Sequence, residues 1–199
     1  MTDDILLVGL ATLLAGLLGS IPFGLLLTRA AGMGDIRDIG SGNIGATNVL
    51  RTGSTWLAAA TLLLDFGKGA LAVWLVTWLF GPGQAPMAAL AAVLGHCHPP
   101  WLGGKGGKGV ATALGVFLAL GWGVFVTAAA AWVVATAASR ISSVGGLGAM
   151  AAATVSGFAL LRMDGAVAVA IVAVYVVMRH EANIKRLREG TEPRIGARK

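Results

Sequence analysis

The chain has 199 residues, 56% hydrophobic and 12% charged, with 30 glycines and a mean hydropathy of +0.80. Such a composition cannot supply a water-facing surface, which excludes a soluble domain and indicates one integral membrane domain over residues 1–199. The net charge of +6 lies beside apolar segments, where anionic headgroups are the nearer partner, so no nucleic acid is implied; the single Cys97 excludes an intrachain disulfide.

Along the chain, residues 5–27 carry no charge, are too long for a signal-peptide core and lead to no small-residue cleavage site, so they read as a retained first span. At about 20 residues per crossing, helices are expected over 5–29, 56–80, 86–96, 110–120, 122–139, 144–161 and 165–179. The expected fold is an all-α integral membrane protein of seven transmembrane helices joined by short glycine-rich loops, the third and fourth helices being short. Placing the N-terminus outside puts Arg29, Arg37, Arg51, Lys105, Lys108, Arg140, Arg179 and the basic tail from Lys185 on the cytoplasmic side, leaves Arg162 outside and holds Lys68 within the membrane. The tail over 191–199, with Pro193 and Gly196, is expected to fray.

Three polar clusters then share the cytoplasmic boundary. The run Gly40-Ser41-Gly42-Asn43-Ile44-Gly45-Ala46-Thr47-Asn48 lets backbone approach a ligand closely and suits an anion, with a helix start near Thr47 and Arg51 one turn on. The second cluster, Gly103 to Gly109, repeats the device with Lys105 and Lys108 and opens a helix at Val110. It is no Walker A loop, because Gly109 follows Lys108 and Leu102 stands where the first glycine belongs. In the third, "RHEANIKRLREG", His180 and Asn183 share a helix face at i and i+3.

A glycine-rich loop is often only a turn, but two on one face, each with basic residues, point to anions. His96, Cys97 and His98 are adjacent in sequence and cannot readily share a tetrahedral site, so no metal is expected. Asp65 and Lys68, at i and i+3 in the second span, read either as a mutually neutralising buried pair or as part of the site.

The ordered set "GSIPFG", "DIRDIGSGNIGATNVLR", "DFGKG", "GHCHP", "GGKGVAT" and "RHEANIKRLREGTEP" closely resembles the bacterial membrane acyl-phosphate:glycerol-3-phosphate acyltransferases, over essentially the whole chain. The resemblance implies transfer of a fatty acyl group from acyl phosphate to glycerol 3-phosphate, giving lysophosphatidate and phosphate. It implies a bacterial cytoplasmic-membrane location, with the N-terminus outside and the C-terminus and active site cytoplasmic. Membrane lipid is the surrounding partner; no cofactor, acyl-carrier protein, coenzyme A or other protein partner is implied. Position by position, it offers Ser41, Arg51, Lys108, His180 and Asn183 for catalysis. For substrate binding it offers Gly42, Asn43, Gly45, Thr47, Asn48, His96, Lys105, Gly106, Gly107, Gly109, Thr112 and Ser143. One departure is that Gly103-Gly104 stand where the family has a basic residue and an aromatic.

Both substrates carry phosphate, which accounts for two anion-holding loops. Arg51, Lys108 and loop N–H groups are expected to hold the phosphates, His180 and Asn183 to orient the acceptor, Ser41 to hydrogen-bond at the reacting centre, and His180 or a substrate phosphate oxygen to take the proton. The acyl chain is expected between helices, near Ala58 to Ala60 and Ala128 to Ala131. A transporter of a phosphorylated metabolite is the rival reading; an acyltransferase with a His-x4-Asp dyad fails, because no histidine here has Asp five residues on.

Overall fold

The computed structural model describes residues 2–196, with side-chain placement from residue 5 onward. Among the described residues every regular element is helical. The first apolar segment forms α1 (Thr2–Gly19) and α2 (Phe23–Ala30), interrupted where Pro22 withholds a backbone donor. A short α3 (Ala46–Leu50) follows within the first polar loop. Then come α4 (Thr55–Phe80), α5 (Ala85–Cys97), α6 (Val110–Leu120), α7 (Trp122–Ser139), α8 (Ser142–Leu160), α9 (Met163–Met178) and α10 (Glu181–Arg188).

All seven expected apolar segments are therefore helical, but they are unequal. Four stretches, 5–30, Thr55–Phe80, Trp122–Ser139 and Ser142–Leu160, are long and apolar enough to cross a bilayer; α9 and α10 reach that length only when taken together across a 58° bend. With 11 residues, α6 reaches only about 16 Å at 1.5 Å per residue, half a hydrocarbon core.

Close packing comes from small residues, since lipid tails give apolar helices no solvent-driven reason to associate. A Cβ on Gly95 would lie 2.2 Å from the Gly16 carbonyl oxygen, and one on Gly115 would lie 2.0 Å from that of Phe66. α5 thus sits backbone-to-backbone on α1, and α6 on α4. The buried centre is mostly alanine and valine around Phe117 and Met150, while leucines and valines along α1, α4, α7 and α9 face outward. Trp56, Trp78 and Trp122 stand exposed at or near helix ends, where indoles suit a bilayer interface.

The polar loops collect at one end. Thr47 Oγ1 and Ser142 Oγ lie 3.0 Å apart, Arg179 donates to the Gly107 carbonyl at 3.3 Å, and Ser143 donates to Glu192 at 2.7 Å.

Candidate functional site

The first loop is organised by one side chain. Asn48, 2% exposed, donates through Nδ2 to the carbonyls of Ile36 and Ile39 at 3.0 and 2.8 Å, and its Oδ1 accepts from the Ser41 N–H at 3.0 Å. Ser41 Oγ and Arg51 Nη1 lie 3.3 and 3.4 Å from the same oxygen. Asn43 folds back on the Gly45 N–H at 2.9 Å. Upstream, Asp35 caps the short 3₁₀ helix Ile36–Asp38 and pairs with Arg37 and Arg29. Hydrogen bonds from the Arg37 guanidinium hold the Asp35 carboxyl well below the usual carboxylate range, against the effect of burial. Ser41, Thr47 and Arg51 remain exposed at the loop's outer edge.

The second loop is organised by backbone. Gly106 N–H donates to the Cys97 carbonyl at 3.0 Å and Gly107 N–H to the His96 carbonyl at 3.1 Å, so the chain doubles back over the end of α5. A Cβ on Gly107 would fall 1.9 Å from His96 Nε2, and one on Gly106 would fall 2.2 Å from the His96 carbonyl oxygen. These two glycines are required by contact with α5, and their N–H groups are already committed, which corrects the expectation that those N–H groups hold an anion. The N–H groups of Gly103, Gly104 and Lys105 are likewise bonded, to the carbonyls of Pro100, Pro99 and Leu102.

What the fold-back delivers is Lys108, at the start of α6. Burial pushes its ammonium down from 10.5 to about 8; Glu192 opposes that, while Arg186, Arg51 and Arg179 add to it. One lysine thus senses charges from all three clusters, which is the convergence expected from the loops.

The third cluster begins at His180, which stands at the N-terminal cap of α10 rather than inside it. Its Nδ1 lies 2.7 Å from the Val176 carbonyl. A carbonyl only accepts, so Nδ1 carries the proton and Nε2 of the neutral ring is left as an acceptor. Nε2 is directed toward Gly146 of α8. Burial, reinforced by Lys108, pushes the imidazole below its ordinary value, although the Val176 bond and Glu192 pull the other way.

Glu192 was not among the residues expected here. Its carboxylate accepts from Ser143 Oγ at 2.7 Å, Asn183 Nδ2 at 2.5 Å and Arg186 Nε at 2.6 Å. Burial raises this carboxyl, but the hydrogen bonds from Asn183, Ser143 and Arg186 together hold it below its ordinary value. The Ile195 N–H also donates to the Arg140 carbonyl at 2.7 Å. Fraying was expected after Gly190, yet residues 192 and 195 make these contacts; residues 197–199 lie outside the described residues.

Other expected residues fall elsewhere. Thr112 is fully buried on the α4 side of α6 and its hydroxyl has no partner among the described residues, so it belongs to helix packing rather than to a substrate surface. His96 is 4% exposed and sealed between Asp65 and Gly107. Gly109, at φ +93°, is enclosed by Val93, Cys97 and Val176. Lys105 and Gly42 do reach open space. With Arg37, Asp38, Gly104, Gly106 and Arg179 they line a polar cleft of about 380 Å³ between the two loops.

A family model described as "Glycerol-3-phosphate acyltransferase" matches residues 9–190. The chain is 58% identical over 191 residues to the glycerol-3-phosphate acyltransferase of Paramagnetospirillum magneticum, covering 95% of this chain and 94% of that one. It is 54% identical over 187 residues to the enzyme of the same name from Erythrobacter litoralis, covering 94% of each. Among solved structures it resembles PlsY (YgiH), an integral membrane glycerol 3-phosphate acyltransferase. The glycerol 3-phosphate form gives a TM-score of 0.89 at 35% identity, covering 95% of this chain and 96% of that one; the lysophosphatidic acid form gives 0.87 at 34%, covering 95% of each.

Proposed function

The chain belongs to the glycerol-3-phosphate acyltransferase family, and from that premise we propose how its one polar end performs acyl transfer. The acceptor is glycerol 3-phosphate, the product lysophosphatidate, and the donor a fatty acyl phosphate. The observation that carries the reading is Lys108, drawn into the protein among Arg51, Arg179 and Arg186. Glu192, paired with Arg186, offsets only part of this positive charge, so the cluster favours entry of anions, and both proposed substrates are phosphate anions.

In this reading Arg51, with its planar fork, and Lys108 hold the substrate phosphates and the charge that develops on the carbonyl oxygen. Asn183 and Ser143, aligned by Glu192, orient the acceptor, with Ser41 and Thr47 at the mouth. The primary hydroxyl oxygen of glycerol 3-phosphate bonds to the acyl carbonyl carbon, and the carbonyl carbon–phosphate oxygen bond breaks. Phosphate leaves with that electron pair. The hydroxyl proton passes to a phosphate oxygen, directly or by way of His180 Nε2, and leaves with the departing phosphate, which returns the enzyme unchanged. No enzyme nucleophile is needed, and Cys97, buried under the second loop, is a bystander.

Seven crossings, as one domain in the bacterial cytoplasmic membrane with the loops and C-terminus inside, are part of the same proposal. The placement of Lys and Arg in the loops supports it. The short α5 and α6 then cross a bilayer thinned locally beside the site.

The test is purified protein in bilayers supplied with acyl phosphate and glycerol 3-phosphate. Stoichiometric phosphate and lysophosphatidate are expected. Uptake of the phosphorylated metabolite into sealed vesicles without any ester would favour the transporter instead.

A further inference from the structure

Three ionisable side chains lie deep in the bundle: Asp65 at 2%, Lys68 at 4% and His96 at 4% exposure. Lys68 Nζ donates to Asp65 Oδ1, and also to the Ile21 carbonyl at 2.7 Å. That carbonyl belongs to the break ahead of Pro22, from which α2 leads into the first loop. Trp101 of the second loop reaches the same break, its indole donating to the Ser20 carbonyl at 3.1 Å and to Ser20 Oγ at 2.8 Å.

On the other side of Asp65 stands His96. Its Nδ1 is 3.6 Å from Asp65 Oδ1, in contact but beyond hydrogen-bond length, and has no hydrogen-bond partner among the described residues. The opposite edge of the ring, Nε2, is the surface on which Gly107 rests, and the next residue is Lys108. A buried pair that only neutralised itself would have no reason to face a histidine with a free nitrogen, nor to bond the break that introduces the other loop.

We propose that Asp65 is a positioning residue of the transfer reaction: through His96 it sets the Gly106–Lys108 fold-back, and through Lys68 it ties that setting to α2 and the first loop. Asp65 touches neither substrate. It fixes the spacing between the two phosphate-holding segments, and the donor and acceptor must meet across that spacing. This rests on the acyltransferase reading, which the turnover of the wild-type protein tests separately.

The experiment is steady-state kinetics in bilayers with acyl phosphate and glycerol 3-phosphate, alongside thermal unfolding, on Asp65→Asn/Lys68→Met, His96→Gln and the triple variant. The double variant keeps the buried site neutral, so folding is expected to survive. Its KM for glycerol 3-phosphate is expected to rise about tenfold with a smaller change in kcat. His96→Gln is expected to give a similar loss in the wild-type background and less than about twofold on top of the double variant. Wild-type kinetics in the double variant would overturn the proposal by reducing the pair to mutual neutralisation. A His96→Gln loss that multiplies fully in the triple variant would overturn it by showing that Asp65 does not act through His96. If the double variant fails to fold, Asp65→Glu decides: the charge is kept but displaced by one methylene, so a raised KM at unchanged melting temperature supports the proposal, and unchanged KM sinks it.

Discussion

The two glycine-rich loops look alike in sequence and are held in different ways. In the first, one buried side chain, Asn48, gathers carbonyls, an N–H, a hydroxyl and Arg51 around itself. In the second, carbonyls at the end of α5 take the glycine N–H groups while the His96 ring fills the space that a Cβ would need. The first is a clasp that leaves its functional groups outside; the second is a backbone fold-back whose product is the position of one lysine. Richness in glycine therefore signals close backbone approach, and the tertiary structure decides whether a ligand or the protein itself is approached.

The largest effect expected is from removing the cations that the two loops present. Arg51→Ala and Lys108→Ala should each lower kcat/KM about a thousandfold, with melting temperature unchanged; near-normal turnover of either variant would remove that loop from the chemistry.

A smaller effect separates scaffold from chemistry. Gly107→Ala forces the loop off His96, with about a hundredfold loss of kcat/KM. Asn48→Ala instead strips bonds from buried carbonyls and is expected to cost about 2–3 kcal/mol of stability, read as a lowered melting temperature. Similar profiles for the two variants would erase the distinction between fold-back and clasp.

The pH dependence sharpens the comparison further. Lys108 is cationic below about 8 and loses its charge as pH rises through that value, so kcat/KM should fall above pH 8. Bound phosphate favours the ammonium and should move the same limb of kcat upward. In Lys108→Arg the guanidinium stays charged, and the basic limb is expected to disappear. A limb unchanged in that variant would assign it to another group.

The smallest effect expected is at Thr112, whose buried hydroxyl has no partner among the described residues. Thr112→Val should leave turnover intact and raise stability by about 0.5–1 kcal/mol. A clear loss of activity would return Thr112 to the site.

Legibility in the sequence followed how local each cause is. Helix positions came from runs of apolar residues, and gathering of the loops at one end came from the placement of Lys and Arg. Arg51, Lys108 and His180 were singled out as candidates by their places in the ordered motifs that carry the family resemblance. Glu192 was not: it meets Ser143 from 49 positions away, and nothing near either residue announces the other. Thr112 failed for the converse reason. It neighbours the second glycine-rich loop in sequence, but a helix turns each residue by about 100°, and that rotation carries Thr112 onto the face packed against α4.

By itself the sequence determined a helical membrane protein with its polar groups at one boundary, because hydropathy, glycine and the placement of Lys and Arg act over a few residues at a time. Only the tertiary structure decided which glycine N–H groups are already committed, that Asn48 is a clasp, that Glu192 aligns Ser143 with Asn183, and that Asp65 faces His96. Each of those depends on the distance between segments remote in the chain, which close packing of small residues fixes and no local pattern records.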